Sequence, residues 1–180
     1  MSKPEGLAKA TAVMQPIETP FCAARSVVRP EWIDYNGHMN VGYYHVVFDE
    51  ASTPFFEWLG LTPQYRARTQ ASTFALETHL HFLREVKLGD ELRFEARLLS
   101  FDAKRIHFYQ EMFHVGQGYL AAAYESLSMH VDMRTRRTAP MPAQLSERLA
   151  AVMQAHGGLE RPWQVGHVIG TPVPRPVGKP

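Results

Sequence analysis

The sequence predicts an α+β domain in which an antiparallel sheet wraps around one central helix, with a second helix near the C-terminus. Three observations predict it. Apolar residues Val41, Tyr44, Phe48, Ala51, Phe55 and Trp58 fall at spacings of 3, 4, 3, 4 and 3, the single buried stripe of a long helix. From Phe74 onward the apolar period drops to two and stays there to Met133. The segments of that second pattern are joined by short turns, Lys87-Leu88-Gly89-Asp90 and Gly116-Gln117-Gly118, and short connections suit antiparallel neighbours.

The elements follow in order along 180 residues, the length of one domain with trimmings. Residues 1–20 carry Pro4, Pro16 and Pro20 among small and polar residues, without sustained periodicity, and are expected as a loose arm. Phe21 to Arg29 is short and tolerates a strand. Asp34-Tyr35-Asn36-Gly37 is a polar bend before the helix. Gly60 supplies the helix stop, while Pro54 inside the stripe predicts a kink or an early end. Phe74, Leu76, Leu80 and Phe82 are expected on one face of the first long strand, and Leu92, Phe94, Ala96 and Leu98 line the next. Ile106, Phe108 and Met112 mark a third, and Tyr119, Ala121, Ala123, Leu127, Met129, Val131 and Met133 a fourth. A last helix is expected from about Ala143 to His156, ending at Gly157-Gly158. Residues 159–180, with Pro162, Pro172, Pro174, Pro176 and Pro180, form an expected extended tail, leaving 21–158 as the working domain. One helix layer covers one face of the sheet, so its other face and its edges call for a partner subunit.

Composition removes several classes of function. Lys plus Arg number 19 against 18 Asp plus Glu, a net charge of +1 with histidine neutral, which lacks the basic face that holds nucleic acid by its phosphates. The longest apolar run, Tyr119 to Tyr124, is far short of the roughly 20 residues that span a bilayer. No apolar signal-peptide core opens the chain, and the single cysteine, Cys22, allows neither an intrachain disulfide nor a cysteine zinc cluster. A cytoplasmic location is expected.

Few catalytic motifs are present. There is no Gly-x-Ser-x-Gly elbow, Walker loop or His-Glu-x-x-His. Gly116-x-Gly118-x-x-Ala121 mimics a dinucleotide fingerprint, but strand residues follow it where a helix is needed, so it reads as a hairpin turn. His79 and His81, with Glu77 and Glu85 at the same parity, could converge on a metal; polar residues at a sheet face or interface are the better reading, and no metal is expected. The segment Trp32-Ile33-Asp34-Tyr35-Asn36-Gly37-His38-Met39-Asn40 is different. A helix cap needs one polar residue, and Asp34, Asn36, His38 and Asn40 supply four at a helix entrance. A carboxylate there can attack or activate water at a carbonyl while unpaired helix N–H groups hold the oxyanion.

Asp34-x-Asn36-Gly37-His38-Met39-Asn40-x-x-Tyr43-Tyr44, with Phe48-Asp49-x-Ala51 and Leu59-Gly60, resembles the hotdog-fold thioesterases. Phe82-Leu83-Arg84-Glu85-Val86-x-Leu88-Gly89-Asp90-Glu91-Leu92 resembles their strand-turn-strand signature, and Val131-Asp132 through Arg136-Arg137 to Met141-Pro142 their last strand and its exit. The resemblance covers roughly residues 21 to 145. It implies a hotdog fold, a homodimer or dimer of dimers, active sites at subunit interfaces, and an acyl-CoA substrate in which coenzyme A is part of the substrate and no cofactor is needed. It further implies that Asp34, matching the catalytic aspartate of the 4-hydroxybenzoyl-CoA thioesterase type, is base or nucleophile. Asn36 and His38 complete the order seen in plant acyl-carrier-protein thioesterases, and the Val41 backbone N–H polarises the thioester carbonyl. Glu85 aligns with a glutamate implicated in the plant enzymes; Glu50, on the helix, is a further candidate. Arg134, Arg136 and Arg137 are expected to meet the phosphates of coenzyme A.

The chemistry is self-sufficient. An ordinary aspartate, pKa about 3.9, is ionised at neutral pH, and a thiolate leaving group needs little help from an acid. The segment departs from the commoner pattern at Trp32, where many relatives carry an aspartate, and at Gly42, which replaces a second asparagine. Trp32 and Tyr35 flank Asp34 and, with Asn40, are candidate substrate-binding residues; two aromatic faces can hold a quaternary ammonium. The stretch Pro30 to Asn40 is also similar to the betainyl-CoA thioesterases, which suggests that substrate. Two alternatives stay open: a hotdog enoyl-CoA hydratase, whose Asp-x-Asn-Pro-x-His spacing differs from Asp34-x-Asn36-Gly37-His38, and a non-catalytic acyl-CoA-binding module.

Overall fold

The apolar stripe after Asn40 forms one helix, α1 (Val41–Leu59), in the computed structural model, which describes residues 17–22 and 24–171. Asn40 caps it through a side-chain oxygen that accepts from Gly42 N, and Gly60, at φ 112°, ends it in the left-handed conformation that glycine alone adopts without strain. Tyr44, Val47, Phe48, Ala51, Ser52, Phe55 and Leu59 form the buried face, whereas Val41 is exposed. Of the two outcomes expected at Pro54, the early end does not occur, since the helix continues to Leu59. The carbonyl that loses its donor belongs to Glu50, an exposed residue.

A three-residue strand, β1 (Arg25–Val27), and a 3-10 turn, Pro30–Trp32, precede α1; a short helix, α2 (Pro63–Thr69), follows it. The period-two region supplies β2 (Ala71–Phe82), β3 (Glu91–Phe101), β4 (Arg105–His114) and β5 (Leu120–Asp132), then β6 (Arg137–Thr138) and α3 (Ala143–His156). Every pairing is antiparallel, in the order β1-β3-β4-β5-β2, with β6 on β5. The sheet curls over α1: Phe48 meets Phe94 and Tyr124 at ring separations of 5.6 and 5.2 Å, and Phe55 meets Phe108 at 5.7 Å. This is the expected α+β, hotdog-type architecture. The hairpin turn at Gly116–Gly118 is also present.

One part of the strand reading is corrected. A bulge between Ala75 and Glu77 shifts the register, so that Phe74 opposes Met129 while Leu80 opposes Tyr124 and Phe82 opposes Ala122. Phe74 therefore points away from α1, and Leu80 and Phe82 point toward it. α3 packs beside β3 through His156. Its Nδ1 accepts from Leu98 N at 3.0 Å, its Nε2 meets Glu18 O at 2.9 Å, and its ring stacks on Trp58.

The expected arm of residues 1–20 lies outside the described residues except for 17–20, as does the expected tail 159–180 except for 159–171. Within the latter, Trp163–Gly166 makes a turn on the outer face of the sheet, where Val165 packs on Tyr109 and Ala123 and Gly166 N donates to Glu125 at 2.7 Å. No helix among the described residues is long and apolar enough to cross a membrane.

Candidate active site

The polar bend before α1 is a small closed loop. Ile33 and Met39 form an antiparallel bridge, Asn40 N donates to Trp32 O at 2.9 Å, and Gly37, at φ 79°, makes the reversal. Met39 N donates to Val86 O at 2.9 Å and its side chain is buried, which ties the loop to the connection between β2 and β3.

This frame presents the Asp34 carboxylate at the start of α1. Oδ1 accepts from Asn36 N at 2.8 Å, and Oδ2 accepts from Asn40 Nδ2 at 3.2 Å. The other end of the same Asn40 amide accepts from Gly42 N at 3.0 Å. One side chain thus couples the carboxylate to the positive end of the helix. The Val41 N–H has no protein acceptor among the described residues, so it is available to a ligand oxygen. Beside it lies a cavity of about 320 Å³ lined by His38, Met39, Val41, Tyr44, Phe82, Leu83, Arg84 and Glu85. Burial pushes the Tyr44 phenol up to about 12, so it stays protonated near neutral pH.

The other candidates divide. His38 is half-buried on the cavity wall, with Nδ1 3.2 Å from Met39 O. Asn36 and Tyr35 are exposed, Tyr35 at 96%. Trp32 is a correction to the expected pair of aromatic faces. It is 2% exposed in the core, stacked on Tyr43 at 6.0 Å and covered by the Arg29 guanidinium at 4.6 Å, because the 3-10 turn rotates it inward. Asn40 serves the loop and the helix cap with the amide that was expected to touch substrate. Glu85 lines the cavity but pairs with Lys87 at 3.0 Å, and Glu50 pairs with Arg29 at 3.2 Å.

Arg134, Arg136 and Arg137 lie at the turn from β5 to β6, beside the start of β2. Arg134 is held by Asp132 at 3.0 Å, and the Arg136 guanidinium covers the Phe74 ring at 5.2 Å. Since β2 runs about 36 Å from there to Phe82, one chain does not bring these arginines to its own Asp34 loop. His79 and His81 stand on the outer face of the sheet, and no group of three or more His, Cys, Asp or Glu among the described residues is arranged to hold a metal.

A second, polar cavity was missed. About 320 Å³ in volume, it lies between α1 and the β5–β2 edge, with Asp49, Ser52, Thr53 and Arg66 among its walls, together with Ser126 and Ser128. Its signal was present: Ser52 interrupts the apolar stripe, and Ser126 and Ser128 occupy helix-facing positions on β5.

Comparison with known proteins adds the following. A family model described as the thioesterase-like superfamily matches residues 28–149. A betainyl-CoA thioesterase of Pseudomonas aeruginosa is 38% identical over 160 residues, covering 89% of this chain and 96% of that protein. A bifunctional L-carnitine dehydrogenase/betainyl-CoA thioesterase of Rhizobium meliloti is 33% identical over 84% of this chain, which spans 30% of its length. Among solved structures, a Staphylococcus aureus protein in complex with CoA superposes with a TM-score of 0.78 at 27% identity, covering 88% of this chain and all of that one.

Proposed function

Since the chain belongs to the thioesterase-like superfamily, we propose that it hydrolyses an acyl-CoA thioester, betainyl-CoA, to the free acid and coenzyme A. The observation that carries this reading is the Asp34 carboxylate held by Asn40 at the start of α1, beside a free Val41 N–H. In the reaction the thioester oxygen accepts from Val41 N–H, so charge developing on it meets a fixed donor and the helix dipole. Asp34 attacks the carbonyl carbon or takes a proton from water that does, with His38 and Asn36 orienting the acyl group or the water. The thiolate leaves without an acid. The match to betainyl-CoA thioesterases over nearly the whole length of one of them supports the acyl group.

The reading includes a homodimer. Among the described residues β2 is an edge strand of 12 residues paired with β5 alone, and its flank exposes Leu76, Phe82 and Leu83. A second copy pairing antiparallel along this edge brings the start of one β2 beside the end of the other. That arrangement carries Arg134, Arg136 and Arg137 of one copy toward the Asp34 loop of the other, where the phosphates of coenzyme A need cations.

The test is free-thiol release from a panel of acyl-CoAs by the parent and by Asp34→Ala. Betainyl-CoA is expected to be cleaved at least tenfold more efficiently than its neutral isostere 3,3-dimethylbutyryl-CoA. The substitution is expected to lower kcat by about 10²- to 10⁴-fold. Equal cleavage of the two acyl groups would remove the substrate assignment. Loss of enoyl absorbance without thiol release would point to the hydratase, and tight binding without turnover to the binding module.

A further inference from the structure

The polar cavity between α1 and the sheet holds one carboxylate and one guanidinium that do not neutralise each other. Asp49, exposed on α1, forms no ion pair or side-chain hydrogen bond among the described residues. Arg66, on α2, has no carboxylate partner there either, and spends one amino group on Leu61 O at 2.9 Å. Between them the wall carries hydroxyls from Ser52, Thr53, Ser126 and Ser128, beside the rings of Phe56, Phe108 and Tyr124.

Two buried groups behind the wall are under-used. Ser126 is 2% exposed, and its hydroxyl has the neighbouring Tyr124 phenol beside it but no hydrogen bond of good geometry. Gln110 is fully buried and its side-chain amide meets only Ser52, at 3.2 Å, which leaves one end of that amide unpartnered. Buried polar atoms without partners are uncommon and call for an occupant. Asp49 acts on this space: burial raises the Tyr124 phenol above its ordinary pKa, and the Asp49 charge adds to the rise. A volume of about 320 Å³ sits at the small end of the roughly 300–1,000 Å³ range of ligand pockets.

We propose that this cavity binds a small zwitterion, its cationic group facing Asp49 and its carboxylate facing Arg66. The class of ligand follows from the cavity. Its identification as glycine betaine rests on the proposed reaction, whose acid product is such a molecule. A thioester carries the cation but no carboxylate, so Arg66 favours product over substrate, and the cavity acts as a product site distinct from the Asp34 loop.

Ligand-observed NMR on the full-length protein tests this with glycine betaine, choline and 3,3-dimethylbutyrate, the last two each lacking one charge. Betaine is expected to bind at least tenfold more tightly than either. That preference should vanish in Asp49→Asn and in Arg66→Met, return in part in Arg66→Lys, and persist in Asp34→Asn. Thermal melts confirm that each variant is folded. Equal binding of the three probes, no binding of betaine, or a preference that survives both charge-removing variants overturns the proposal. Betainyl-CoA hydrolysis is measured on the same samples. A zwitterion preference without hydrolysis leaves the cavity assignment standing and removes the betainyl-CoA reading; hydrolysis without the preference does the reverse.

Discussion

Asn40 does two jobs with one amide, and they can be separated. Its oxygen caps α1 at Gly42 N, and its nitrogen holds Asp34. Replacement by alanine removes both, with an expected loss of about 1 kcal/mol from the cap and a fall in kcat. Serine restores a cap but offers no donor of the same reach. Asn40→Ser should therefore melt close to the parent while its kcat stays depressed, and a kcat equal to the parent's would show that the amide contact to Asp34 is idle. Trp32 teaches the opposite lesson at this scale. It neighbours Asp34 in sequence by two positions, yet the turn between Pro30 and Trp32 sends it into the core. Adjacency along the chain announced a polar loop at a helix entrance; it carried no information about which way an aromatic neighbour would rotate.

At the scale of elements, α1 and the four long strands were legible because each buries one face and exposes the other, and burial writes its own period into the sequence. α2 was missed because seven residues are too few for a period, although Thr62 followed by Pro63 is a helix-start signal, and Thr62 indeed caps Tyr65 N. The bulge in β2 left no local signal, since the pairing that creates it belongs to β5. The joint between α3 and β3 carries a pH dependence. His156 accepts from Leu98 N on one nitrogen, so in the fold that nitrogen is unprotonated, and burial, aided by Arg97 and Arg148, holds its pKa below the ordinary value. The unfolded chain, with a histidine pKa of about 6.5, binds the proton more readily. The contribution of this joint is thus complete above about pH 6.5 and is lost as pH falls below it. Thermal midpoints are expected to drop between pH 7.5 and 5.5, and to drop less in His156→Gln; identical slopes for the two proteins would remove His156 as the cause.

For the whole molecule, the sequence already called for a partner, through sheet edges that one helix layer leaves open and through a resemblance that implies active sites at subunit interfaces; it could not say which edge. The Asp34 loop sits at one end of β2 and the arginines at the other, so one chain leaves them apart and the proposed pairing of two copies would bring them together. Leu76→Lys places a charge on the exposed β2 edge, which should oppose pairing with a second copy. The variant is expected to elute as a smaller species in size exclusion and to lose thioester hydrolysis while its circular dichroism spectrum is kept. Full activity from a monomeric variant would mean that each chain works alone. The polar cavity belongs to this scale too, because the consecutive elements α1, α2 and β2 supply only part of its wall and β4 and β5, well downstream in sequence, close it.

The bulge at residue 76 has a consequence for how this strand can change over generations. Substitutions in β2 alter one side chain at a time, whereas losing a residue from a regular strand acts on the sheet as a frameshift acts on a message. Leu76 is the exception, because it has no partner on β5: its removal would close the ladder from Ala75 to Glu77, with Ala75 still toward the helix and Glu77 still away from it. A one-residue gap is therefore absorbed at this point and not elsewhere along the strand, and length variation in β2 should concentrate here.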